Sequence, residues 1–229
     1  MSAPEEAAAG GSLTLRRGLR LLHVLAEHPD GLSISQLAAE LDTHRAGVYR
    51  LLAPLLDERF VQRLADGRHR LGIGLVELSS RVAPRLQEAV LPELRRLADD
   101  LGATAAMTVR DGEEAVVMAV VEPRNTHMHL AYRVGIRHSV DRGASGIAIL
   151  AAGEPRAGER PEVTEARERG YVRTQGEILA GATGIAIALQ AGDAFGEASI
   201  SVVWVEPRDE ESVVRGLFET RARIVASLG

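Results

Sequence analysis

The sequence predicts an α+β protein of two domains: an N-terminal winged helix-turn-helix, a linker helix, and a C-terminal α/β domain. Three observations carry this reading. Up to residue 74, three runs with apolar residues at helical spacing are followed by two short β-rich runs around a tight turn. Beyond residue 102, longer alternating β-rich runs are mixed with helical segments. The charge balance changes with the pattern: residues 12–74 hold nine Arg against seven acids, whereas residues 75–229 hold eighteen against twenty-three. A small basic module on an acidic body suggests that only the first part meets a polyanion. The chain is therefore divided into a disordered tail (1–11), a winged helix-turn-helix (12–74), a linker helix region (75–101) and a ligand-binding and oligomerisation domain (102–229).

Composition sets limits. With 229 residues and 45% apolar content the chain can fill two cores, but aromatics are only 3%, so those cores are Leu, Val, Ile and Ala. There is no lysine, so every fixed cation is a guanidinium. There is no cysteine, which excludes disulfides, thiolate metal sites and a cysteine nucleophile. Without a signal-peptide pattern or an apolar run near 18 residues, the default expectation is a soluble cytoplasmic protein with no membrane partner.

In the first module, residues 14–28 place Leu15, Leu19, Leu22 and Leu25 at helical spacing, and Pro29-Asp30-Gly31 ends the helix. Ser33 caps a second helix with Ile34, Leu37, Ala38 and Leu41 inward. Asp42 and Thr43 form a turn. Thr43 is expected to cap a third helix, 44–57, with Val48, Leu51, Leu52 and Leu55 inward and Pro54 a point where it kinks or stops early. Val61–Leu64 and Arg68–Leu71 read as strands joined by a two-residue Asp66-Gly67 turn.

The stretch "THRAGVYRLL" then has two edges. Val48, Leu51 and Leu52 suit a core; His44, Arg45, Tyr49 and Arg50 suit something outside it. In a winged helix the third helix enters the major groove of DNA with its N-terminal side chains toward base edges. Arg45 and Tyr49 are placed there, with His44 at the helix start and Arg50 reaching a phosphate. Arg63, Arg68, His69 and Arg70 arm the wing. Arg17, Thr43 and the start of the second helix (Ser33, Ser35, Gln36) add backbone contacts. A winged helix that binds protein instead of DNA remains the alternative.

Next come a linker helix over 75–82 with a break at Pro84, and a helix over 85–101 with Leu86, Val90, Leu94 and Leu97 inward and a fresh first turn at Pro92. A hairpin follows, two β-rich runs around Asp111-Gly112, then a strand at "MHLAYRV". "GASGIAILAAG" is a helix, 152–161 a solvated loop, and 162–169 another helix. "GYV", "GIAIAL" and "ASISVVW" are strands, and 209–227 is a closing helix with Val213, Leu217, Ile224 and Val225 inward.

The segments "TLRRGLRLLHVLAEHPDGLSISQLAAELDTHRAGVYRLLAPLLDERFVQR", "LPELRRLADDLGATAAMTVRDGEEAVVMAVV", "GIRHSVDRGASGIAILAA" and "ERGYVRTQGEILAGATGIAIAL", in that order, resemble the IclR family of bacterial transcription regulators. The resemblance implies a GAF-like C-terminal domain that binds a small organic effector, such as a carboxylate or aromatic metabolite. It also implies a homodimer or homotetramer on a palindromic DNA operator. Carried over residue by residue, effector contacts fall on Ala144, Ser145, Gly146, Thr174, Gly184, Ile185, Ser199 and Ser201, with Met107 and Met118 as soft wall residues. Backbone amides at 144–146 offer donors to a carboxylate. The sequence departs from the family at Ala46-Gly47, where small hydroxyl residues are usual, and at Thr174 and Gly184, where an acid and a cysteine are usual. A regulator with a collapsed, effector-blind pocket is thus a further alternative. Ser199 and Ser201 alternate on one strand face and are expected to share one fate.

Enzyme and cofactor motifs are missing. "GASGI" lacks the final glycine of a nucleophile elbow, Ser145 has no evident base, and "GIGLVE" lacks the third glycine of a dinucleotide fingerprint. His127 and His129 share a strand face, but no third ligand stands at a telling spacing. No catalysis and no cofactor is expected.

Overall fold

A computed structural model describes residues 11–82, 86–124, 130, 132–190, 192 and 195–228; side chains of residues 80, 82, 86 and 87 are excluded. The tail expected at 1–11, all but its last residue, lies outside the described residues, as do Pro84 and His127 and His129. The chain divides into two compact units, Met1–Ala83 and Pro84–Gly229.

The first unit has α1 (Leu13–Ala26), α2 (Ile34–Glu40), α3 (Arg45–Asp57), β1 (Val61–Arg63), β2 (His69–Leu71) and α4 (Gly74–Val82). Its core is Leu21, Leu25, Leu32, Leu37, Leu41, Val48, Leu51, Leu52 and Val61. In α1 the buried face is Gly18, Leu21 and Leu25, not the stripe expected from spacing: Leu15 and Leu19 remain 63% and 51% exposed. The apolar arc of this helix is wider than a three-helix core can cover. Ser33 and Gln36 close a reciprocal capping box on α2. The cap of α3 is His44 rather than Thr43, and its imidazole makes no capping bond. Pro54 sits inside α3, which continues to Asp57. The proline is exposed, so the one carbonyl it deprives of a donor can be hydrated.

The wing pairs Val61 with Leu71, Gln62 with Arg70 and Arg63 with His69. Its turn is longer than expected. Gly67 N–H donates to Leu64, Leu64 N–H donates to Arg68, and only Gly67 takes a positive φ, so the loop is a type I turn with a glycine bulge. Leu32 and His69 exchange backbone hydrogen bonds of 2.8 Å, which fasten the wing to the residue before the α2 cap.

In the second unit a π-helical turn, Leu86–Val90, precedes α5 (Leu91–Leu101), so the expected 85–101 helix is broken at Pro92's first turn. Then follow β3 (Thr104–Asp111), β4 (Glu114–Val121), β5 (Arg137–Ser139), α6 (Gly143–Ala152), α7 (Pro161–Arg169), β6 (Val172–Gln175), β7 (Thr183–Leu189), β8 (Ala198–Trp204) and α8 (Glu210–Leu228). The six strands form one antiparallel sheet, β5-β4-β3-β8-β7-β6. The β3–β4 hairpin turns on Gly112-Glu113, with Asp111 paired to Glu114. Within "MHLAYRV", the described residues Leu130 and Tyr132–Val134 are not strand; β5 takes the sheet edge instead. Along α8 the inward residues are Val213, Leu217, Thr220 and Ile224, and Val225 is exposed.

Two faces of this sheet have different tasks. Ala106, Val203 and Ala186 face the side of α6 and α7. By strand alternation Met107, Ile185, Ile187, Ile200 and Val202 face the other side, where α5 and α8 pack on β3, β4, β7 and β8.

Candidate functional site

Two places in the molecule bring together the side chains singled out in the sequence. The first is the outer edge of α3. Burial of Val48, Leu51 and Leu52 fixes the helix's rotation, and His44, Arg45, Tyr49 and Arg50 are all exposed as a result, Tyr49 by 61%. Arg45 reaches across to α2, where Nη2 donates to Ser35 Oγ at 2.7 Å. That bond holds the guanidinium at the junction of the two helices. Arg17 lines the same shallow depression as Thr43 and His44. Among the described residues Arg17, Arg50 and Arg63 make no ion pair.

The wing is less uniformly armed than expected. Arg70 is exposed, but Arg68 is held by Asp66, its Nε 2.6 Å from the carboxylate. His69 is buried at 4% exposure, beneath the wing, and its Nδ1 has no partner. Burial and the nearby Arg63 cation both push its pKa below the ordinary 6.5, so it is held neutral and turned away from any phosphate. His69 leaves the set of surface contacts. Ser33 and Gln36 spend polar groups on each other in the capping box, while Ser35 is exposed with Arg45 on it.

The second place is a cleft on the α6 side of the sheet, enclosing about 390 Å³, part of it open to solvent. Tyr132, Ala144, Ser145, Thr174, Glu177, Ile178, Leu179, Gly184 and Ser201 are in its wall. Five of the expected effector residues (Ala144, Ser145, Thr174, Gly184, Ser201) are therefore brought together. The other five are not. Met107 and Ile185 lie on the opposite sheet face. Met118 is the extra residue where the β3–β4 register shifts, and is not in the wall. Gly146 faces the Val140 backbone, 2.4 Å from where its Cβ would stand, and serves the close seating of α6. Ser199 donates to Ser145 O at 2.9 Å under the helix. The two serines of β8 thus part ways, since Ser201 is buried in the cleft wall with an unpartnered Oγ.

The loop between β6 and β7 was not foreseen. Glu177 Oε2 accepts from Gly143 N–H, the first amide of α6, at 2.8 Å. Arg160 clasps the same carboxylate at 3.1 and 3.2 Å, and Arg142 donates to the Glu177 carbonyl. Arg160 first, and then the Gly143 N–H, hold the Glu177 pKa below the usual carboxylate range. Ile178 packs where a Gly143 side chain would otherwise stand, and Gly143 has φ +73°. Tyr132 is buried, which raises its phenol pKa; the Thr108 and Ser145 hydroxyls nearby act against that shift. Thr108 Oγ1 is itself unpartnered.

Ser145 also gains a neighbour that sequence spacing left undirected: His138 Nε2 lies 3.4 Å from its Oγ, and Nδ1 faces Ser139 O at 3.0 Å. A backbone carbonyl, not a carboxylate, orients this imidazole, and the serine contact is at the outer limit of a hydrogen bond. Among the described residues there is no group of three potential metal ligands, and no helix is long and apolar enough to cross a membrane.

Comparison with known proteins places this geometry. Residues 14–65 match the IclR helix-turn-helix domain, and residues 82–160 match the bacterial transcriptional regulator IclR C-terminal domain. The HTH-type transcriptional regulator Rv1719 of Mycobacterium tuberculosis is 34% identical over 68% of this chain and 60% of its own length. TtgV of Pseudomonas putida is 29% identical over 63% of this chain and 56% of its own. The chain thus matches less than two thirds of the length of these curated relatives. An IclR homolog from Microbacterium hydrocarbonoxydans, complexed with 4-hydroxybenzoate, superposes with a TM-score of 0.81 at 24% identity, covering 94% of this chain and 98% of that one. An IclR transcriptional regulator from Alicyclobacillus acidocaldarius gives 0.77 at 22%, covering 96% and 100%. Those two likenesses speak to the fold alone.

Proposed function

The chain belongs to the IclR family of bacterial transcriptional regulators, and from that premise we propose that it is a sequence-specific DNA-binding regulator controlled by a small organic effector in its second unit. The observation that carries the proposal is the outer edge of α3, where Arg45 and Arg50 stand exposed beside Tyr49, on a helix whose other side is pinned in a leucine core. Arg45, Tyr49 and His44 read base edges; Arg17, Arg50, Arg63 and Arg70 engage phosphates; Ser35 orients Arg45. Without hydroxyls at Ala46 and Gly47, base discrimination rests on those few side chains and on DNA shape.

The effector binds the cleft beside α6 and must prefer one DNA-competent arrangement over another, or nothing switches. The Microbacterium homolog, which shares the fold, is complexed with 4-hydroxybenzoate, and this supports a small organic ligand for the present chain. The buried, unpartnered Ser201 hydroxyl supports it independently, since an idle buried hydroxyl is a cost that a ligand would remove. It weighs against the effector-blind reading.

The functional unit is a homodimer or homotetramer. Leu13, Leu15, Leu19, Ile73, Val76 and Leu78 are all more than half exposed, apolar side chains that contact with a second copy would cover.

Binding to a duplex from the region upstream of its own gene, followed by fluorescence anisotropy at two salt concentrations with competitor DNA, tests the whole reading. Specific binding that survives competitor supports it. Binding that disappears with competitor at every salt concentration leaves a winged helix that does not read sequence.

A further inference from the structure

Resting on the effector reading above, we propose that the cleft selects an uncharged, mostly apolar effector with a hydroxyl, carbonyl or amide group, because Glu177 already holds a carboxylate on the first amide of α6. The family resemblance alone leads to the opposite expectation, a ligand carboxylate on the α6 amides.

The geometry supports the exchange. The first amide of α6 is taken by Glu177, and of the two guanidinium groups at this helix start Arg160 is spent on Glu177 and Glu162 while Arg142 donates to the Glu177 carbonyl. The partial positive charge of the helix start is thereby compensated from within the chain. No cation is present among the described residues of the cleft wall, and its one ionised side chain is Glu177 itself. A ligand carboxylate would be desolvated beside a like charge, with no counter-ion among the described residues of the wall.

What the wall does offer is neutral. Ser201 Oγ is buried without a partner, and the Ser145, Thr174 and Tyr132 hydroxyls stand in the same wall beside Ile178 and Leu179. Hydroxyls can both donate and accept, so they suit an alcohol, phenol, ketone or amide equally well. Gly184 leaves room for the ligand's bulk: a Cβ there would come to ordinary contact with Ala144, 3.6 Å away.

The test uses isosteric pairs that differ only in charge, benzoate with benzamide and 4-hydroxybenzoate with 4-hydroxybenzamide. Each is titrated by calorimetry into the 229-residue chain and into its Glu177→Gln and Ser201→Ala variants. The amide of each pair is expected to bind wild type at least ~10-fold more tightly than the acid. Glu177→Gln is expected to shrink that ratio by admitting the acids, and Ser201→Ala to weaken the amides ~3–10-fold, the scale of one hydrogen bond. An acid that binds wild type as tightly as its amide overturns the inference and leaves the effector reading intact. If no member of either pair binds, the effector reading falls and this inference with it. The wild-type comparison is decisive even should Glu177→Gln destabilise the fold.

Discussion

The arginines of the two units lead different lives. In the second unit Arg96, Arg110, Arg124, Arg137, Arg160, Arg167, Arg169, Arg173 and Arg223 face a carboxylate within 4 Å, while Arg142 and Arg208 bond backbone carbonyls and Arg221 stacks on Phe218. In the first unit Arg59 and Arg68 do so, whereas Arg16, Arg17, Arg20, Arg50, Arg63 and Arg70 have no ion pair among the described residues. With no lysine in the chain, one side chain serves both purposes. Where acids are interleaved, the guanidinium fork ties loops to helices. Where they are withheld, the charge is left for a partner that brings its own anions, and a nucleic acid backbone is such a partner. The modest net charge of the first module understates this, because what matters is which cations are unspent.

The comparison breaks most visibly at Arg45. Arg45→Ala is expected to cost specific DNA binding about 1–3 kcal/mol, roughly 5- to 150-fold, while leaving the melting temperature within a degree or so. Anisotropy titrations alongside a thermal melt read both at once. A large fall in melting temperature with unchanged DNA affinity would make Arg45 a structural tie to Ser35 and nothing more.

The mirror experiment is Arg160→Ala. Here stability should fall by about 1–2 kcal/mol after allowance for solvent screening, because the Glu177 carboxylate loses its forked partner while still bonded to Gly143. Urea denaturation measures it. DNA affinity without effector should stay within about twofold, the scatter expected of a change distant from the contacts. Should Arg160→Ala instead leave stability unchanged, the paired arginines of this unit are ornamental, and the contrast between the units loses its meaning.

Much of the fold could be read from the chain, and the reasons are local. Glycines and prolines at Pro29, Gly31, Gly67, Gly102 and Gly170 punctuate it, and apolar spacing marks the longer helices such as α3 and α5. What spacing could not decide was how much of a wide apolar arc would be covered, hence Leu15 and Leu19 in solvent. The α3 edge was legible because its core side was unambiguous. The cleft was half legible. Strand alternation alone forbids Gly184 and Ile185 from facing the same side, so one had to be dropped. Glu177 was invisible, because a carboxylate in a loop between Gly176 and Gly181 looks like ordinary surface. Its role depends on Ile178 seating against Gly143, a contact 35 residues away in sequence.

A smaller effect separates phosphate contacts from base contacts within the first unit. Arg50→Ala should weaken all DNA sequences alike and reduce the slope of log affinity against log salt by about 0.9, one phosphate's worth of released counterions. Titrations at several salt concentrations on specific and scrambled duplexes supply both slopes. A loss confined to the specific duplex would move Arg50 from the backbone to a base.

The faintest expected signal tests whether the unspent cations are felt inside their own module. His69 is buried beside Arg63, and both burial and that cation lower its pKa in the folded state below 6.5. The unfolded chain, with an ordinary histidine, therefore takes up the proton first as pH falls. Stability should decline on acidification from near pH 6.5, by no more than 1.4 kcal/mol per pH unit, and level off once the folded pKa is passed. His69→Gln removes this step, and the difference between its stability profile and wild type's isolates His69 from the exposed histidines. Arg63→Gln should reduce the step without abolishing it, since burial is the larger cause. If Arg63→Gln leaves the step unchanged, the wing's cation is screened from its interior, and lacking an acid partner has no consequence short of DNA.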